Sequence, residues 1–351
     1  MKYEIRERED GKKAIFEVET GRQVSEWYDY IFLSGLVKGE SDYYMVVKDK
    51  KKAIFDKEGK QISKWYESIE RYGLVRGQSE YYLVRQDGKD AIFHKDGKQI
   101  SKWHQEIFME GLIEGKSDYY IVREGNKKAI FDKDGRQISD WYEQIILYAS
   151  GLIKGESKYY MVRNRWKYAL FDKDGKQIGE WYDEILDYGL PTGESEYYLA
   201  RKGNKWAIFD ENGNRISDWY DEIWKFGLVE GKSEYYIVEK EREGKAIFDM
   251  YGNQISKWFD IIYPDGLVEG KDKYYIAGYI EKEAENYFFR LAVYYIDGRK
   301  VSQDFITETG SIETDFENGI VKIYKNDVVE KIIYFEKKRE EFLDYTKLLN
   351  I

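Results

Sequence analysis

The stretch KAIFDKDGRQISDWYEQI, residues 128–145, decides the fold. Lys128 to Asp132 is apolar and β-prone, Asp132-Lys133-Asp134-Gly135 is turn chemistry, and Gln137 to about Tyr142 is apolar again. Gly135 stands where a type I turn followed by a bulge needs a left-handed residue. The same run begins like a calcium loop. Such a loop needs oxygen ligands at alternating positions over about twelve residues and closes on a glutamate. Here the chain turns back into a strand, and other copies of the segment read FDKEG, FHKDG, FDENG and FDMYG. Histidine, methionine and tyrosine hold a hard cation poorly, so the segment reads as a hairpin.

Those other copies are the main signal. An alanine before an apolar pair recurs at Ala14, Ala53, Ala91, Ala129, Ala169, Ala207 and Ala246, in steps of 39, 38, 38, 40, 38 and 39 residues. Tryptophan keeps the same phase at Trp27, Trp65, Trp103, Trp141, Trp181, Trp219 and Trp258, and so does a tyrosine pair that begins at Tyr43, Tyr81, Tyr119, Tyr159, Tyr197, Tyr235 and Tyr274. A divergent eighth copy, RLAVYYIDGRKVSQDF, keeps Ala292, Gly298 and Ser302 but has Asp304 in place of tryptophan. A last fragment, GIVKIYKNDVVEKIIYFEKK, resembles the tyrosine-pair strand and the strand after it. The end, REEFLDYTKLLNI, has apolar residues at Phe342, Tyr345, Leu348 and Leu349, a spacing that suits a short amphipathic helix capping the array.

Each unit is expected to hold three short strands, about Tyr119 to Arg123, Lys128 to Asp132 and Gln137 to Tyr142, with the following GLIKGES-type segment as a candidate fourth. Side chains alternate with period two, yet both faces of these strands are apolar, so each small sheet must be covered on both sides by its neighbours. The fold class is therefore all-β: about eight tandem β-meander repeats of roughly 38 residues, stacked as a β-propeller, the favoured form, or as an open β-solenoid. The domain reading is one β-repeat domain over 1–336 and a helical cap over 337–351.

Composition narrows the function. The 351 residues carry a net charge of -10, with 34 tyrosines, 10 tryptophans, 2 prolines, 2 histidines and no cysteine. Thiolate catalysis, disulfides and zinc–thiolate sites are excluded. An acidic surface repels phosphate backbones, so no nucleic-acid partner is expected. No apolar run approaches the roughly 20 residues of a membrane span, and the N-terminus MKYEIREREDGKKAIF has no apolar signal core, so the expectation is a cytoplasmic protein without a membrane partner.

The segment NKWAIFDENGNRISDWYDEI, residues 204–223, resembles a unit of the bacterial WG-repeat family, through Lys205, Trp206, Ile208, Asp210, Gly213 and the pair Tyr220-Asp221. Ala207 replaces the glycine of the family's name, and most other copies carry lysine before the alanine. The resemblance spans about residues 3–300 and implies a binding or scaffold module without catalytic residues.

The candidate chemistry is weighed against the repeat. His94 and His104 each replace a repeat residue, and metal ligation there is a weaker reading than drift. Asp56, Asp132, Asp172, Asp210 and Asp249 recur in phase, as do Ser25, Ser63, Ser101, Ser139, Ser217 and Ser256; repetition argues for structural work and local backbone bonding. GKS at 115–117 and 231–233 lacks the spacing of a phosphate loop. Departures from the repeat are the residues free for function. Arg163, Arg165, Trp166 and Tyr168, with Trp206 and Trp224, and the run Tyr287, Phe288, Phe289 and Arg290, are the candidate partner-binding residues, because exposed tryptophan and arginine anchor interfaces. The expectation is a non-enzymatic protein-interaction module with no cofactor and no metal. Its partner is a protein, for which a basic surface would suit the charge of this chain. The alternatives are an immunity or inhibitor protein for a basic toxin or nuclease, and a carbohydrate- or ligand-binding propeller.

Overall fold

The computed structural model describes residues 2–283, 286–308, 311–325 and 328–335. It is all-β, with nine small antiparallel sheets in tandem. The chain divides into two compact units, Met1–Gly193 and Glu194–Ile351. The segment read as a helical cap, 337–351, lies outside the described residues.

The hairpin of the central stretch is present. Tyr119–Glu124 pairs with Lys127–Asp132, with Tyr120 opposite Phe131 and Val122 opposite Ala129. In the turn after Asp132, the Asp132 carboxylate accepts the amides of Asp134 at 3.0 Å and Arg136 at 2.9 Å, and Gly135 takes φ +80°. Asp56, Asp172, Asp210 and Asp249 bond the two equivalent amides of their own turns in the same way.

Two expectations need correction. The segment Gln137 to Tyr142 is not a continuous strand; its ladder pairing with the sheet is limited to bridges from Gln137 to Phe131 and from Tyr142 to Lys128. Six residues there, Gln137 to Tyr142, span four on the partner strand, Lys128 to Phe131, so the backbone bulges. The in-phase serine occupies the bulge: Ser139 Oγ accepts the Ile130 amide at 2.8 Å and donates to the Asp140 carbonyl at 2.9 Å. Where Gly179 replaces that serine, Gln177–Tyr182 forms a strand with a register shift. The second correction concerns the GLIKGES-type segment. It is a single helical turn, 3-10 at Leu36–Lys38 and α at Gly151–Lys154, and not a fourth strand. Its glycines hold positive φ on both sides of the turn in the first copy, +85° at Gly35 and +72° at Gly39, which a strand does not tolerate.

The real extra strand is two residues long and comes from the preceding repeat. Glu106–Ile107 pairs with Arg123 and Val122 of the next unit. Sheet and sequence repeat are thus out of phase, which ties neighbouring units together. The core lies between consecutive sheets. One face of the Tyr119–Glu124 sheet packs Ile107, Tyr120, Val122, Ala129 and Phe131 against Leu83 and Ile92 of the preceding sheet. Its other face packs Ile121 and Ile130 against Tyr160, Val162 and Phe171 of the next unit. Both faces are covered, as the two-sided apolar pattern requires.

The first sheet is closed differently. Glu4 and Arg6 stand where Tyr44 and Val46 stand in the next unit. The Arg6 guanidinium lies 4.4 Å over Phe16 and that of Arg8 5.2 Å over Trp27, while Arg6 pairs with Glu4 at 2.6 Å. Stacked guanidinium groups thus cover this face of the first sheet with polar groups in place of the apolar residues of the next unit.

The second tyrosine of each pair is buried on an aromatic ring of the paired strand, phenylalanine in six copies and Tyr294 under Tyr275; Tyr160 stacks on Phe171 at 5.5 Å. The hydroxyls of Tyr160 and Tyr236 have no hydrogen-bond partner among the described residues. Replacing a buried unpaired hydroxyl by hydrogen removes a desolvation penalty. Tyr160→Phe is therefore expected to be neutral or to stabilise by up to about 1 kcal/mol in urea unfolding. A loss of that size would mean that the hydroxyl is bonded, for example through a buried water.

Burial also raises the tyrosine pKa values, to about 12 for Tyr28 and Tyr142 and further for Tyr44, Tyr82, Tyr120, Tyr160, Tyr236 and Tyr275. The folded values lie above the unfolded value of about 10. The stabilisation is then fully present below pH 10 and is lost as pH rises toward and through the folded values. Each such tyrosine removes about 1.4 kcal/mol per pH unit in that window. Thermal melts are expected to be insensitive to these groups at neutral pH and to fall steeply above pH 10. A flat profile to pH 12 would contradict the buried assignment.

Candidate functional site

The departures from the repeat fall in both units. In the first unit, Arg163, Arg165, Trp166 and Tyr168 belong to one hairpin, Tyr159–Asn164 paired with Lys167–Asp172. Arg165 and Trp166 form its two-residue turn with φ +48° and +65°. Such a turn favours asparagine or glycine, and the equivalent turn at Asp87–Gly88 uses glycine. A bulky residue there costs about 1–2 kcal/mol. The turn is held by Glu143, whose carboxylate accepts the Arg165 amide at 3.1 Å. This cap is a repeat device: Asp29 and Asp221, each following the in-phase tyrosine, likewise accept the amides of Asp49 at 2.8 Å and Glu241 at 2.9 Å. The tyrosine–aspartate pair of the repeat therefore holds the hairpin tip of the next one.

At the tip of the fifth hairpin, Trp166 is 80% exposed, and the Arg163 guanidinium lies 5.2 Å over its ring. Arg163 differs from its counterparts. Arg85 pairs with Asp90 at 2.7 Å and Arg123 with Glu106 at 2.5 Å, whereas Arg163 Nε is buried with no hydrogen-bond partner among the described residues. Opposite Arg163 across the strands stand Gln144 and Tyr168, which carry no charge. Trp166 and Arg163 together offer a flat apolar surface beside an uncompensated cation, a pair suited to a partner that brings an apolar or aromatic group and a carboxylate.

In the second unit the residues do not form one site. Trp206 is half-buried in the strand Lys205–Asp210, under the Arg201 guanidinium at 5.6 Å. Trp224 is half-buried too, with Phe226 edge-on at 6.1 Å and the Lys245 ammonium at 5.8 Å. Tyr287 and Phe288 lie near the end of the long hairpin Tyr274–Glu283 and Asn286–Tyr295, with Tyr287 exposed. Phe289 leans on the core, and Arg290 makes a bidentate pair with Glu281 at 2.6 and 3.1 Å. These side chains largely pack against their own sheets.

One departure escaped the sequence reading. Asp90 stands where other copies carry Lys52, Lys128 or Lys245. It is buried, takes both Arg85 nitrogens and accepts the Ile107 amide at 3.1 Å. Beside it is a cavity of about 290 Å³ whose lining includes Glu70, Glu106, Phe108 and Glu110. Carboxylates outnumber cations in that lining, so it suits a lysine or arginine side chain. The signal was legible: a carboxylate at a position where the copies with Ala14, Ala53, Ala129 and Ala246 carry lysine.

The remaining candidates act locally. His94 stands 3.3 Å from Glu80 and 3.0 Å from Asp96, and His104 stands 2.9 Å from Glu124. Among the described residues no group of three His, Cys, Asp or Glu is placed to hold a metal ion. The in-phase serines bond the backbone, as at Ser63 with the Ile54 amide and Ser217 with the Ile208 amide.

No protein-family model and no curated protein matches the chain. Among solved structures it is similar to a eukaryotic initiation factor, at 14% identity over 72% of this chain and 74% of that one, with a TM-score of 0.32. It is also similar to BamB from Moraxella catarrhalis, at 12% identity over 84% and 76% with a TM-score of 0.24. A third likeness is to Kluyveromyces lactis Hsv2p, at 10% identity over 85% and 95% with a TM-score of 0.23. At these values the likeness says nothing of what the chain binds.

Proposed function

We propose that the chain is a non-catalytic protein-interaction module whose binding anchor is the hairpin tip Arg165–Trp166 with Arg163. The observation that carries this reading is an exposed tryptophan held in a strained turn, where glycine would serve the fold better. Strain kept at a solvent-facing tip points to selection for what the side chain meets there. The resemblance to WG repeats supports the same class of function.

The test separates stability from binding. Trp166→Gly is expected to leave folding stability unchanged or raised, because glycine relieves the positive φ. The same substitution is expected to weaken partner retention about 30-fold, the scale of an interface hot spot of about 2 kcal/mol. The assay is retention of the partner from lysate of the protein's own source on the immobilised intact chain, quantified for parent and variant. Equal retention by both sinks this anchor.

A second reading, an inhibitor of a basic protein, is favoured by the carboxylate-rich cavity at Glu70, Asp90 and Glu106. It expects retention at low salt and loss at high salt, since exposed charge pairs are screened. A partner that persists through high salt counts against it.

A further inference from the structure

Residues directly opposite on paired strands share a face, and near a hairpin tip such a row decides what the arginine of the central strand meets. In the Tyr119–Glu124 sheet the row is Glu106, Arg123 and Lys128, and the Glu106 carboxylate accepts Arg123 Nε at 2.5 Å. In the sheet before it the row is Ser68, Arg85 and Asp90, and Asp90 accepts Arg85 Nε at 2.7 Å and Nη2 at 2.9 Å. The carboxylate comes from one flanking strand in the first case and from the other in the second. In both it takes the same nitrogen.

In the sheet of Tyr159–Asn164 the row is Gln144, Arg163 and Tyr168. Neither flanking position carries a carboxylate, yet the arginine is kept. Its Nε, the atom that takes the carboxylate in the two preceding hairpins, has no hydrogen-bond partner among the described residues. The Glu143 carboxylate at the tip accepts the Arg165 amide at 3.1 Å. A donor shielded from water without a partner is costly, and a carboxylate from outside removes that cost. Gln144 is exposed, so the place that Glu106 fills for Arg123 is reached from solvent here. The guanidinium lies 5.2 Å over Trp166, and a group bound to it therefore stands next to the exposed ring.

We propose that the partner of this tip presents a side-chain carboxylate next to an aromatic residue. The carboxylate takes the Arg163 guanidinium from the Gln144 side, as Glu106 takes Arg123, and the aromatic ring lies on Trp166. The inference rests on the hairpin tip being the binding anchor and adds the chemistry that the anchor reads. The segment it reads is acidic, although the net charge of -10 favours a basic partner overall. At one contact the local cation decides, because exposed charges farther away than about 8 Å are screened at physiological salt.

The test uses the intact chain and two peptides, acetyl-Glu-Phe-amide and acetyl-Gln-Phe-amide. Titrations read by NMR at the Trp166 indole N–H and the Arg165 amide are expected to saturate with the glutamate peptide, at a Kd on the order of 1 mM. The glutamine peptide is expected to bind about tenfold more weakly, the loss of a charge-assisted contact. Gln144→Glu sets a carboxylate where Glu106 stands in the preceding hairpin. It is expected to unfold in urea at or above the parent's midpoint and to show no preference between the two peptides. Equal binding of both peptides by the parent, no saturable shift with either, or a preference that survives in Gln144→Glu overturns the proposal. Retention of the lysate partner separates this failure from failure of the anchor itself. Retention lost in Trp166→Gly but kept in Gln144→Glu leaves the anchor and removes the carboxylate, and retention kept in both removes the anchor as well.

Discussion

Gly115→Ala is expected to lower the unfolding free energy by about 2–5 kcal/mol, the sum of a left-handed backbone strain and an overpacked contact. The added methyl would sit 1.9 Å from the Gln78 carbonyl oxygen and 2.9 Å from its carbon, and a backbone group cannot rotate away. The same substitution at Gly39 carries only the strain, about 1–2 kcal/mol, because nothing lies within 4 Å of the new methyl. The difference between the two variants measures the joint alone. Urea unfolding followed by tryptophan fluorescence reads both. In a tandem array each unit leans on its neighbours, so a broken joint is also expected to broaden or split the transition of Gly115→Ala. Equal losses at Gly115 and Gly39 would mean that the interior joint is looser than described.

Phe131→Ala is expected to cost about 3–5 kcal/mol, the range for a large aromatic removed from a packed core. Phe131 stacks on Tyr120 at 5.7 Å, meets Trp141 edge-on at 6.3 Å and His104 at 5.5 Å, and lies in the cluster between two sheets. Those neighbours come from two consecutive repeats, so the cavity cannot collapse without moving both. The matched control is Phe16→Ala. Phe16 occupies the same repeat position but is covered by the Arg6 guanidinium rather than by another sheet. Its loss is expected to cost about 1–2 kcal/mol, since part of its surface already meets water and the cation–π contact is worth at most that. If Phe16→Ala proved as damaging as Phe131→Ala, the first sheet would be covered by something more than its arginines.

Much of the candidate surface was legible in the sequence, because the repeat supplies its own background. Trp166 was recognisable as a residue without counterparts, and among the described residues it is the most exposed of the large apolar side chains. Trp206 and Trp224 were recognisable in the same way, yet both are half-buried against their own sheets. Sequence marks that a residue departs from the repeat; it does not mark which side of the strand faces a neighbour. Asp90 went unremarked among many carboxylates, since its weight comes from burial beside Arg85 and from a bond to the Ile107 amide in the following strand. No local pattern encodes that bond.

The sequence by itself determined the all-β class, the period, the hairpins and the covering of each sheet on both faces. These follow from local rules: side chains alternate along a strand, turn residues sit at fixed offsets, and a two-sided apolar strand needs cover on two sides. Only the tertiary structure decided the rest. It turned the GLIKGES-type segment from a strand into a helical joint, because glycine at positive φ is there to let another backbone approach. In the Tyr119–Glu124 sheet it also moved the third strand to the preceding repeat, because Glu106–Ile107 pairs across the repeat boundary while Ser139 draws its own segment into a bulge. Both outcomes depend on contacts between residues far apart in the chain, and local periodicity carries no information about which distant backbone will arrive.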